Sequence, residues 1–351
     1  MSIFSIPNIR ISGITACVPK NKLSTLDYDW IPLKDREQFI KTVGVETRHI
    51  ATDNITTSDL CFTAAEKLLS ELKWDKKDIS ILVFVSQSRD YIIPSTSGIL
   101  QDRLGLSHDT SSYDINMGCS GYIYGISSIA SLLNFSKGKK ALLLVGDVSS
   151  SNTSYKDKST YPLFGDAGTA TAIEIDENAE NIEINMQSDG SGWDAIVIPD
   201  GGLRNPVSIK SFEYKKYPGD IYRNNVQVAL NGVEVFNFSL REVVPNIKKL
   251  LKETNKNIED FDYLVLHQAN KLINKTITKM LKFDKTKVPE TLNKYGNTSS
   301  ASIPLTIVSE LRKQMTEEKV KLILSAFGIG LSWGTIFIET NKIVCPKVIE
   351  I

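Results

Sequence analysis

A single cysteine in a turn of small residues is the first candidate for chemistry in this 351-residue sequence. Cys119 lies between Gly118 and the pair Ser120-Gly121, after a short predicted strand and before an apolar predicted helix. The helix dipole and the free N–H groups of the first helical turn favour a thiolate over a thiol. Thiolate is the nucleophilic form, so we predict that Cys119 attacks a substrate carbonyl. The alternative is an inert core cysteine.

Two further polar residues follow predicted turns. His267 stands at the end of an apolar segment over 261–267, the edge where open α/β sheets carry functional groups. Asn297 lies in a turn of small residues, where it either caps the next helix or donates a hydrogen bond into a pocket. Cysteine, histidine and asparagine, each on its own turn, suit acyl transfer through a thioester. A lone histidine is also often structural.

A glycine-spaced segment near the C-terminus supplies a possible fourth part of the site. Gly328, Ile329 and Gly330 lie in a run that continues to Gly334. Without side chains, glycines let backbone N–H groups approach a substrate oxygen closely, which predicts an oxyanion-binding loop. A purely structural turn is the alternative.

The elements that must position these residues follow an α/β pattern. Apolar segments of strand length alternate with helical segments, which predicts sheets that are buried on both faces. The predicted strands span residues 9–18, 79–85, 139–146, 169–175, 261–267 and 320–328. A helix is predicted over 58–72 with Ser58 as its cap, and the helix after Cys119 is predicted to be buried.

The second half of the chain repeats the element order of the first, although residue identities differ. This order predicts a duplicated α/β unit with an N-terminal half over 1–178, which carries Cys119, and a C-terminal half over 179–351, which carries His267 and Asn297. The site is then expected between the halves. Residues 199–231 break the pattern and are predicted to be an inserted loop region that covers the site or decorates the surface.

Composition excludes several classes of protein. Lysine plus arginine and aspartate plus glutamate both total 41, which argues against a general nucleic-acid binder. No apolar run has membrane-spanning length, and the first seven residues lack the features of a secretory signal. The four cysteines form no CxxC pair, so we expect a reducing cytoplasm, no metal site and no cofactor.

Taken together, the motifs resemble β-ketoacyl-acyl-carrier-protein synthase III, a condensing enzyme of the thiolase superfamily. The resemblance rests on four segments in the family's order, at residues 118–121, 267–270, 296–299 and 327–334. It covers nearly the whole chain. It implies a thiolase-like, duplicated, five-layered αβαβα fold and a homodimer.

The resemblance also implies a reaction. Cys119 would accept an acyl primer from a thioester, and a malonyl thioester on acyl carrier protein would lose CO2 and attack it. His267 and Asn297 would stabilise the enolate, while the N–H groups of Cys119 and Ile329 would bind the oxyanion. The product would be a 3-oxoacyl-acyl-carrier protein. Met117, Ile93 and Phe164 are candidates for the acyl pocket.

The sequence departs from the family where coenzyme A binds. Gln38 and Thr42 replace the Trp and Arg that clamp the adenine, and Leu272 replaces a second Arg, so a carrier-protein donor is favoured over acyl-CoA. A stripe of lysines begins one residue before Leu272, at helical spacing. The stripe comprises Lys271, Lys275, Lys279 and Lys282. It either docks the acidic acyl carrier protein or forms a solvated face.

Other functions remain open from sequence. The weakened clamp and the insertion suggest a specialised pathway rather than the initiation of ordinary fatty acids. An acyltransferase could move the acyl group from Cys119 to an alcohol or amine without decarboxylation. An inactive paralogue that only binds the carrier would not need Cys119, His267 and Asn297 together. A hydrolytic cysteine enzyme fits the two-half organisation less well.

Overall fold

The computed structural model describes residues 3–52 and 54–351, so Met1 and Ser2 of the N-terminal stretch lie outside the described residues. The strands are β1 Ile3–Ile6, β2 Ile9–Val18, β3 Lys22–Ser24, β4 Thr47–His49, β5 Ile79–Val85, β6 Ser111–Ile115, β7 Lys140–Asp147, β8 Ala167–Ile175, β9 Ile182–Ser188, β10 Ile196–Val197, β11 Lys215–Tyr217, β12 Ile221–Arg223, β13 Ala229–Leu230, β14 Tyr263–Leu266, β15 Lys319–Gly328, β16 Ser332–Asn341 and β17 Ile349–Glu350. The α-helices are α1 Leu33–Thr42, α2 Thr57–Leu72, α3 Thr96–Arg103, α4 Gly121–Phe135, α5 Gly232–Glu253, α6 Lys271–Leu281, α7 Leu292–Tyr295, α8 Ser302–Glu310 and α9 Arg312–Glu317.

Two sheets dominate the structure, and their strand pairing repeats. The first has the order β17-β2-β8-β7-β5-β6 and the second β1-β9-β16-β15-β14. In the first, β5 and β7 are parallel, β7 and β8 antiparallel, and β8 and β2 antiparallel. In the second, β14 and β15, β15 and β16, and β16 and β9 repeat that sequence of parallel, antiparallel and antiparallel pairs. The duplication that the sequence predicts is therefore present in the topology.

The terminal strands cross between the two sheets. β1 pairs with β9 in the second sheet, although it precedes the whole first half. β17 pairs with β2 in the first sheet, although it ends the chain. The predicted division at residue 178 falls between β8 and β9, but each half lends a terminal strand to the other half's sheet. The division of the chain into two domains at residue 178 therefore stays a prediction.

Helices and sheets alternate in five layers. α4 and α8 share one apolar cluster with strands of both sheets, so they form the central layer. α2 and α3 pack on the outer face of the first sheet, and α5 and α6 on the outer face of the second. α4 and α8 are apolar on most faces because they lie between two sheets. The five-layered αβαβα fold predicted from the sequence is confirmed.

Element predictions hold with small differences at their ends. β2 and β5 have the predicted bounds, and the other predicted strands differ by one or two residues at one or both ends. The prediction that Ser58 caps α2 is wrong, because Thr56 is the cap and its side chain accepts a hydrogen bond from the Asp59 N–H. α4 is buried as predicted, but its Leu132 is 41% exposed. Among the described residues no helix is long and apolar enough to cross a membrane.

Candidate active site

Cys119 lies in the turn that joins β6 to α4. Its side chain is buried, with 9% of the residue exposed. The turn needs small neighbours, since a Cβ on Gly118 would lie 2.4 Å from Gln87 Oε1 and 2.7 Å from Ile329 Cγ2. A Cβ on Gly121 would lie 2.7 Å from a methyl group of Val85. Tight packing against β5 and the glycine loop therefore fixes the sulfur in place.

The electrostatic environment of Cys119 differs from the sequence prediction. Burial raises the pKa of the thiol to about 11, because it disfavours the charged form. Hydrogen bonds from the Ile329 N–H, the Ser299 side chain and its own N–H lower the pKa, while the Asp147 carboxylate raises it. The donors of this turn favour the thiolate, as the sequence suggested, but desolvation outweighs them and the net pKa is raised. In the free enzyme Cys119 is a thiol at neutral pH.

The raised pKa predicts how alkylation of Cys119 depends on pH. Below the pKa of about 11, the thiolate fraction and the rate with iodoacetamide should rise on the order of tenfold per pH unit between pH 7 and 10. Mass spectrometry of a peptide that contains Cys119 measures this rate. Cys119→Ser is the control, because the other three cysteines, Cys17, Cys61 and Cys345, are buried and do not line the cavity. A plateau reached near pH 8 would contradict the argument.

His267 directly follows β14, at the carboxyl end of that strand. Its Nδ1 lies 2.6 Å from Ser302 Oγ, and the ring also makes a hydrogen bond to the Ser299 backbone. Burial lowers the pKa of His267 to about 3, because the imidazolium loses its hydration. The side-chain amide of Asn274 donates to the His267 carbonyl over 3.1 Å and so holds the backbone. His267 is therefore a neutral hydrogen-bonding group over the whole physiological range.

Asn297 makes a local turn contact and is not the cap of the next helix, since Ala301 occupies the N-cap position of α8. Its Oδ1 accepts a hydrogen bond from the Ser299 N–H over 2.9 Å, which is the local turn contact expected of an asparagine in this position. Its backbone is held on both sides, since its N–H donates to the Leu163 carbonyl and its carbonyl accepts from the Gly165 N–H. With Oδ1 engaged, the Nδ2 group is the donor left for a ligand.

The glycine loop lies against the nucleophile. A Cβ on Gly328 would lie 2.6 Å from the Cys119 Cβ, so only glycine fits there. The hydroxyl of Ser332 donates to the Ile329 carbonyl over 2.7 Å and also lies 2.7 Å from Ser120 Oγ. The Ile329 N–H donates to the Cys119 sulfur. Gly330, with φ of +135°, closes the turn in a conformation that glycine adopts readily.

One cavity brings the predicted groups together. Its volume is about 350 Å3. Of the predicted catalytic and loop residues, only Gly330 is outside its lining. The lining comprises Gln87, Ser88, Arg89, Asn116, Cys119, Asp147, Ser149, Asn152, Leu163, Phe164, Ile196, Val197, Ile198, Val228, Leu230, Gly232, Val235, His267, Ala269, Asn270, Ile273, Asn297, Ser299, Phe327, Gly328 and Ile329. In the described part of the chain, no group of three or more His, Cys, Asp or Glu side chains could hold a metal ion.

Two of the three predicted acyl-pocket residues do not line this cavity. Phe164 does, and it is nearly buried. Met117 instead packs against the central apolar cluster between the sheets. Ile93 is 83% exposed, in a loop that leaves the first sheet after β5. Apolar character alone did not show on which side of the turn each side chain would lie.

The predicted insertion contributes to the wall of the cavity. Val228 and Leu230, at its C-terminal end, line the cavity, whereas Leu203 near its start is fully exposed. Its hairpin β11–β12 is held through the Tyr222 carbonyl, which accepts from Ser154 Oγ over 2.6 Å. The C-terminal end of the segment therefore forms part of the site, and its start lies on the protein surface.

Asp147 is the main polar residue of the site that the sequence analysis missed. It ends β7, is 2% exposed, and burial raises the pKa of its carboxyl group. Its Oδ1 accepts from the Gln87 N–H over 2.8 Å, and its Oδ2 accepts from the Ser300 hydroxyl over 2.6 Å. Asp147 thus joins the nucleophile's half to the asparagine turn. The signal was present, since an acidic residue that ends a buried strand is unusual.

The lysine stripe lies on α6, close to the cavity. Lys275 and Lys279 are exposed and Lys271 is half-buried, while Ile273 of the same helix lines the cavity. Lys282 follows as the C-cap of the helix. Leu272 is 51% exposed, and Gln38 and Thr42 are exposed on α1.

A five-layered αβαβα fold, with a cysteine, a histidine and an asparagine around one cavity, defines the class of thiolase-like enzymes. Residues 113–190 match the family described as 3-oxoacyl-[acyl-carrier-protein (ACP)] synthase III, and residues 251–340 match its C-terminal part. The chain belongs to the 3-oxoacyl-[acyl-carrier-protein] synthase III family. The resemblance inferred from the motifs is confirmed.

Relatives match over nearly the full length. A beta-ketoacyl-[acyl-carrier-protein] synthase III of Campylobacter concisus is 32% identical over 337 residues, 95% of this chain and 97% of its own. That of Clostridioides difficile is 31% identical over 324 residues, 92% and 96% of the two chains. The crystal structure of a 3-oxoacyl-(acyl-carrier protein) synthase from Burkholderia xenovorans superposes with a TM-score of 0.93 at 32% identity, covering 99% of both chains.

Proposed function

We propose that this chain is an acyltransferase that catalyses decarboxylative condensation of a Cys119-bound acyl primer with malonyl-acyl-carrier protein, in the synthesis of fatty acids or of a specialised acyl chain. One observation carries the proposal: Cys119, His267, Asn297 and the Ile329 backbone line the same cavity. The relatives' printed names agree with the activity.

The first half-reaction moves the primer onto the enzyme. The Cys119 sulfur attacks the carbonyl of an acyl thioester, the bond to the carrier sulfur breaks, and the thiol proton leaves with the carrier thiol. The Cys119 and Ile329 N–H groups, which donate to the sulfur in the free enzyme, stabilise the oxyanion of the tetrahedral intermediate. Because the thiol is protonated at rest, deprotonation accompanies attack rather than preceding it.

The second half-reaction forms the carbon–carbon bond. The malonyl carboxylate leaves as CO2, and its electron pair forms a thioester enolate. Nε2 of neutral His267 and Nδ2 of Asn297 donate to the enolate oxygen as negative charge develops there. The enolate carbon attacks the acyl-Cys119 carbonyl and expels the Cys119 thiolate, which takes up a proton. The 3-oxoacyl-acyl-carrier protein leaves.

The competing activity is acyl transfer to an alcohol or amine without loss of CO2. Both activities begin with acyl-Cys119, so the test must follow the second substrate. We expect one CO2 released per 3-oxoacyl product, both dependent on malonyl-acyl-carrier protein. Product formed from an alcohol or amine without CO2 would support the competing activity instead.

Acyl carrier protein is the proposed donor and acceptor, docked by the lysine stripe of α6. The Lys275→Glu/Lys279→Glu double variant is expected to raise KM for acyl-carrier-protein substrates about tenfold or more at low salt, since charge steers carrier docking. The effect should shrink as ionic strength rises. Steady-state kinetics with varied carrier concentration measure both.

A matched pair of lysines on the neighbouring helix provides the control. Lys248 and Lys252 of α5 are also exposed and also four residues apart. The Lys248→Glu/Lys252→Glu double variant adds the same charge on an adjacent surface and should leave KM within about twofold. Equal effects of the two double variants would show that overall charge, and not the stripe, controls carrier binding.

A homodimer and a cytoplasmic location complete the proposal. Tyr91, Ile92 and Ile93 are 61%, 77% and 83% exposed, an apolar group that a second copy could cover. The edge strand β6 pairs only with β5 within the described chain and lies at the border of its sheet. The homodimer predicts a mass in solution of twice the chain mass of 39.0 kDa. A monomer by sedimentation would contradict it.

A further inference from the structure

Two sets of side chains that line the cavity around Cys119 differ in character, and we call them the apolar wall and the polar wall. The apolar wall comprises Ile196, Val197, Ile198, Leu230, Val235 and Ile273. The polar wall comprises Gln87, Ser88, Arg89, Asn116, Ser149 and Asn152. An acyl pocket for a plain alkyl primer would be apolar throughout, so a primer of that kind does not explain the polar wall.

The polar wall follows from the topology of the first sheet. Its residues come directly after β5, β6 and β7. β5 is parallel to both of its neighbours, so the carboxyl ends of the three strands meet at one edge of the sheet. The same edge carries the Cys119 turn, which follows β6. Three separate loops thus place polar side chains around the nucleophile.

Several side chains of this wall keep unused hydrogen-bonding capacity, although the Ser88 hydroxyl already contacts Thr57 Oγ1 and accepts from the Val148 N–H. Gln87 and Asn152 engage other described residues only through backbone atoms, and the exposed Arg89 and Asn116 form no side-chain hydrogen bond or ion pair with the described chain. Asp147 differs, because backbone and hydroxyl donors from two loops engage both of its oxygens. Free amides and a guanidinium are therefore available to a ligand, while the buried carboxylate is occupied.

The polar wall lies close to Cys119, where the acyl group is attached, rather than beside the helix proposed to dock the carrier. The Gln87 side chain packs against Gly118, since a Cβ there would lie 2.4 Å from Gln87 Oε1. Asn116 stands three residues before Cys119. Ile273, on the apolar wall, belongs instead to the helix that carries the lysine stripe. A carrier arm entering beside α6 would follow the apolar wall, and the acyl group on Cys119 would reach the polar one.

We propose that the acyl primer carries a hydrogen-bond-accepting oxygen, a hydroxyl or a carboxylate, beyond its thioester carbonyl, and that Gln87, Arg89 and Asn116 recognise it. The inference rests on the proposed condensing function and names its primer class. Amide N–H groups and a guanidinium donate to such an oxygen, and the guanidinium favours a carboxylate. All three side chains are exposed, so water occupies these donors in the free enzyme and an oxygen of the primer would replace it, whereas an alkyl primer offers them no acceptor.

Three four-carbon primers of matched length test the inference: butyryl, 3-hydroxybutyryl and succinyl groups on acyl carrier protein. The measurement is kcat/KM for condensation with malonyl-acyl-carrier protein. We expect at least one of the two oxygenated primers to exceed butyryl by about tenfold or more, because a site built to hydrogen-bond a substrate oxygen discriminates against its absence. Succinyl above 3-hydroxybutyryl identifies a carboxylate, and the reverse order a hydroxyl.

Variants of the wall separate recognition from folding. Arg89→Met and Gln87→Leu should each reduce the preference over butyryl at least about threefold, and their condensation with butyryl reports whether the protein is intact. Lys137→Met, an exposed lysine that does not line the cavity, should leave the preference unchanged. Butyryl equal to or better than both oxygenated primers would overturn the primer class while the condensing function stands. Folded protein that condenses none of the three would overturn the function and this inference together.

Discussion

Cys119→Ser is expected to reduce condensation by at least about 10^3-fold and to abolish the acyl-enzyme adduct. The proposed mechanism routes every turnover through a thioester on this sulfur, and a serine hydroxyl is a far weaker nucleophile without an adjacent base. The site offers no such base, since the pKa of His267 is lowered to about 3 and its Nδ1 contacts Ser302. Serine is close to cysteine in size, so the tight turn beside Gly118 and Gly328 should keep its geometry. Product formation and intact-protein mass measure the two effects.

A second cysteine provides the control for this variant. Cys345 is 3% exposed and packs in the central cluster away from the cavity. Cys345→Ser should still form the adduct, at a rate that follows the folded fraction. An adduct that persists in Cys119→Ser but disappears in Cys345→Ser would place the nucleophile elsewhere.

Asn297→Asp is expected to separate the two half-reactions. The new carboxylate retains an oxygen for the Ser299 N–H, which Oδ1 accepts over 2.9 Å, so the local turn should survive. It replaces the Nδ2 donor with a negative charge that repels the enolate. Loss of one such donor costs about 10^2 to 10^3-fold in comparable sites, so condensation and malonyl decarboxylation should fall by at least that factor. Acylation of Cys119 should continue, because Asn297 acts on the second substrate.

The comparison variant lies a few residues earlier. Asn293 is exposed and lies outside the cavity that holds Cys119. Asn293→Asp adds the same charge near the same turn and should leave decarboxylation within about twofold. Rapid decarboxylation by Asn297→Asp, or loss of acylation and decarboxylation to the same extent, would contradict the role assigned to its amide.

Residue type and position along the chain were enough to predict the main groups. His267 was predicted at the end of a buried strand, and the structure places it directly after β14. The duplication was visible because each half repeats the same order of strands and helices. The sequence did not predict that β1 and β17 join the sheet of the opposite half. Strands of two to four residues carry little periodic signal, and both pair with distant partners.

Effects that depend on the three-dimensional surroundings were beyond the sequence. The thiolate prediction for Cys119 counted nearby donors but not the cost of burying a charge, which depends on how deeply the turn lies between the two sheets. Ile93 was assigned to the acyl pocket from its apolar side chain, yet its loop points to solvent. Asp147 was recognisable as an acidic residue that ends a buried strand, but its partners, Gln87 and Ser300, are distant in sequence and were beyond prediction.

The measurement that tests the central claim most directly is intact-protein mass before and after malonyl-acyl-carrier protein is added to acylated enzyme. We expect a single acyl adduct, located on Cys119, that disappears on addition while CO2 and the 3-oxoacyl product appear in equal amounts. An adduct that is stable to malonyl-acyl-carrier protein but is discharged by an alcohol or amine would contradict it. So would product formed at full rate by enzyme that never carries the acyl group.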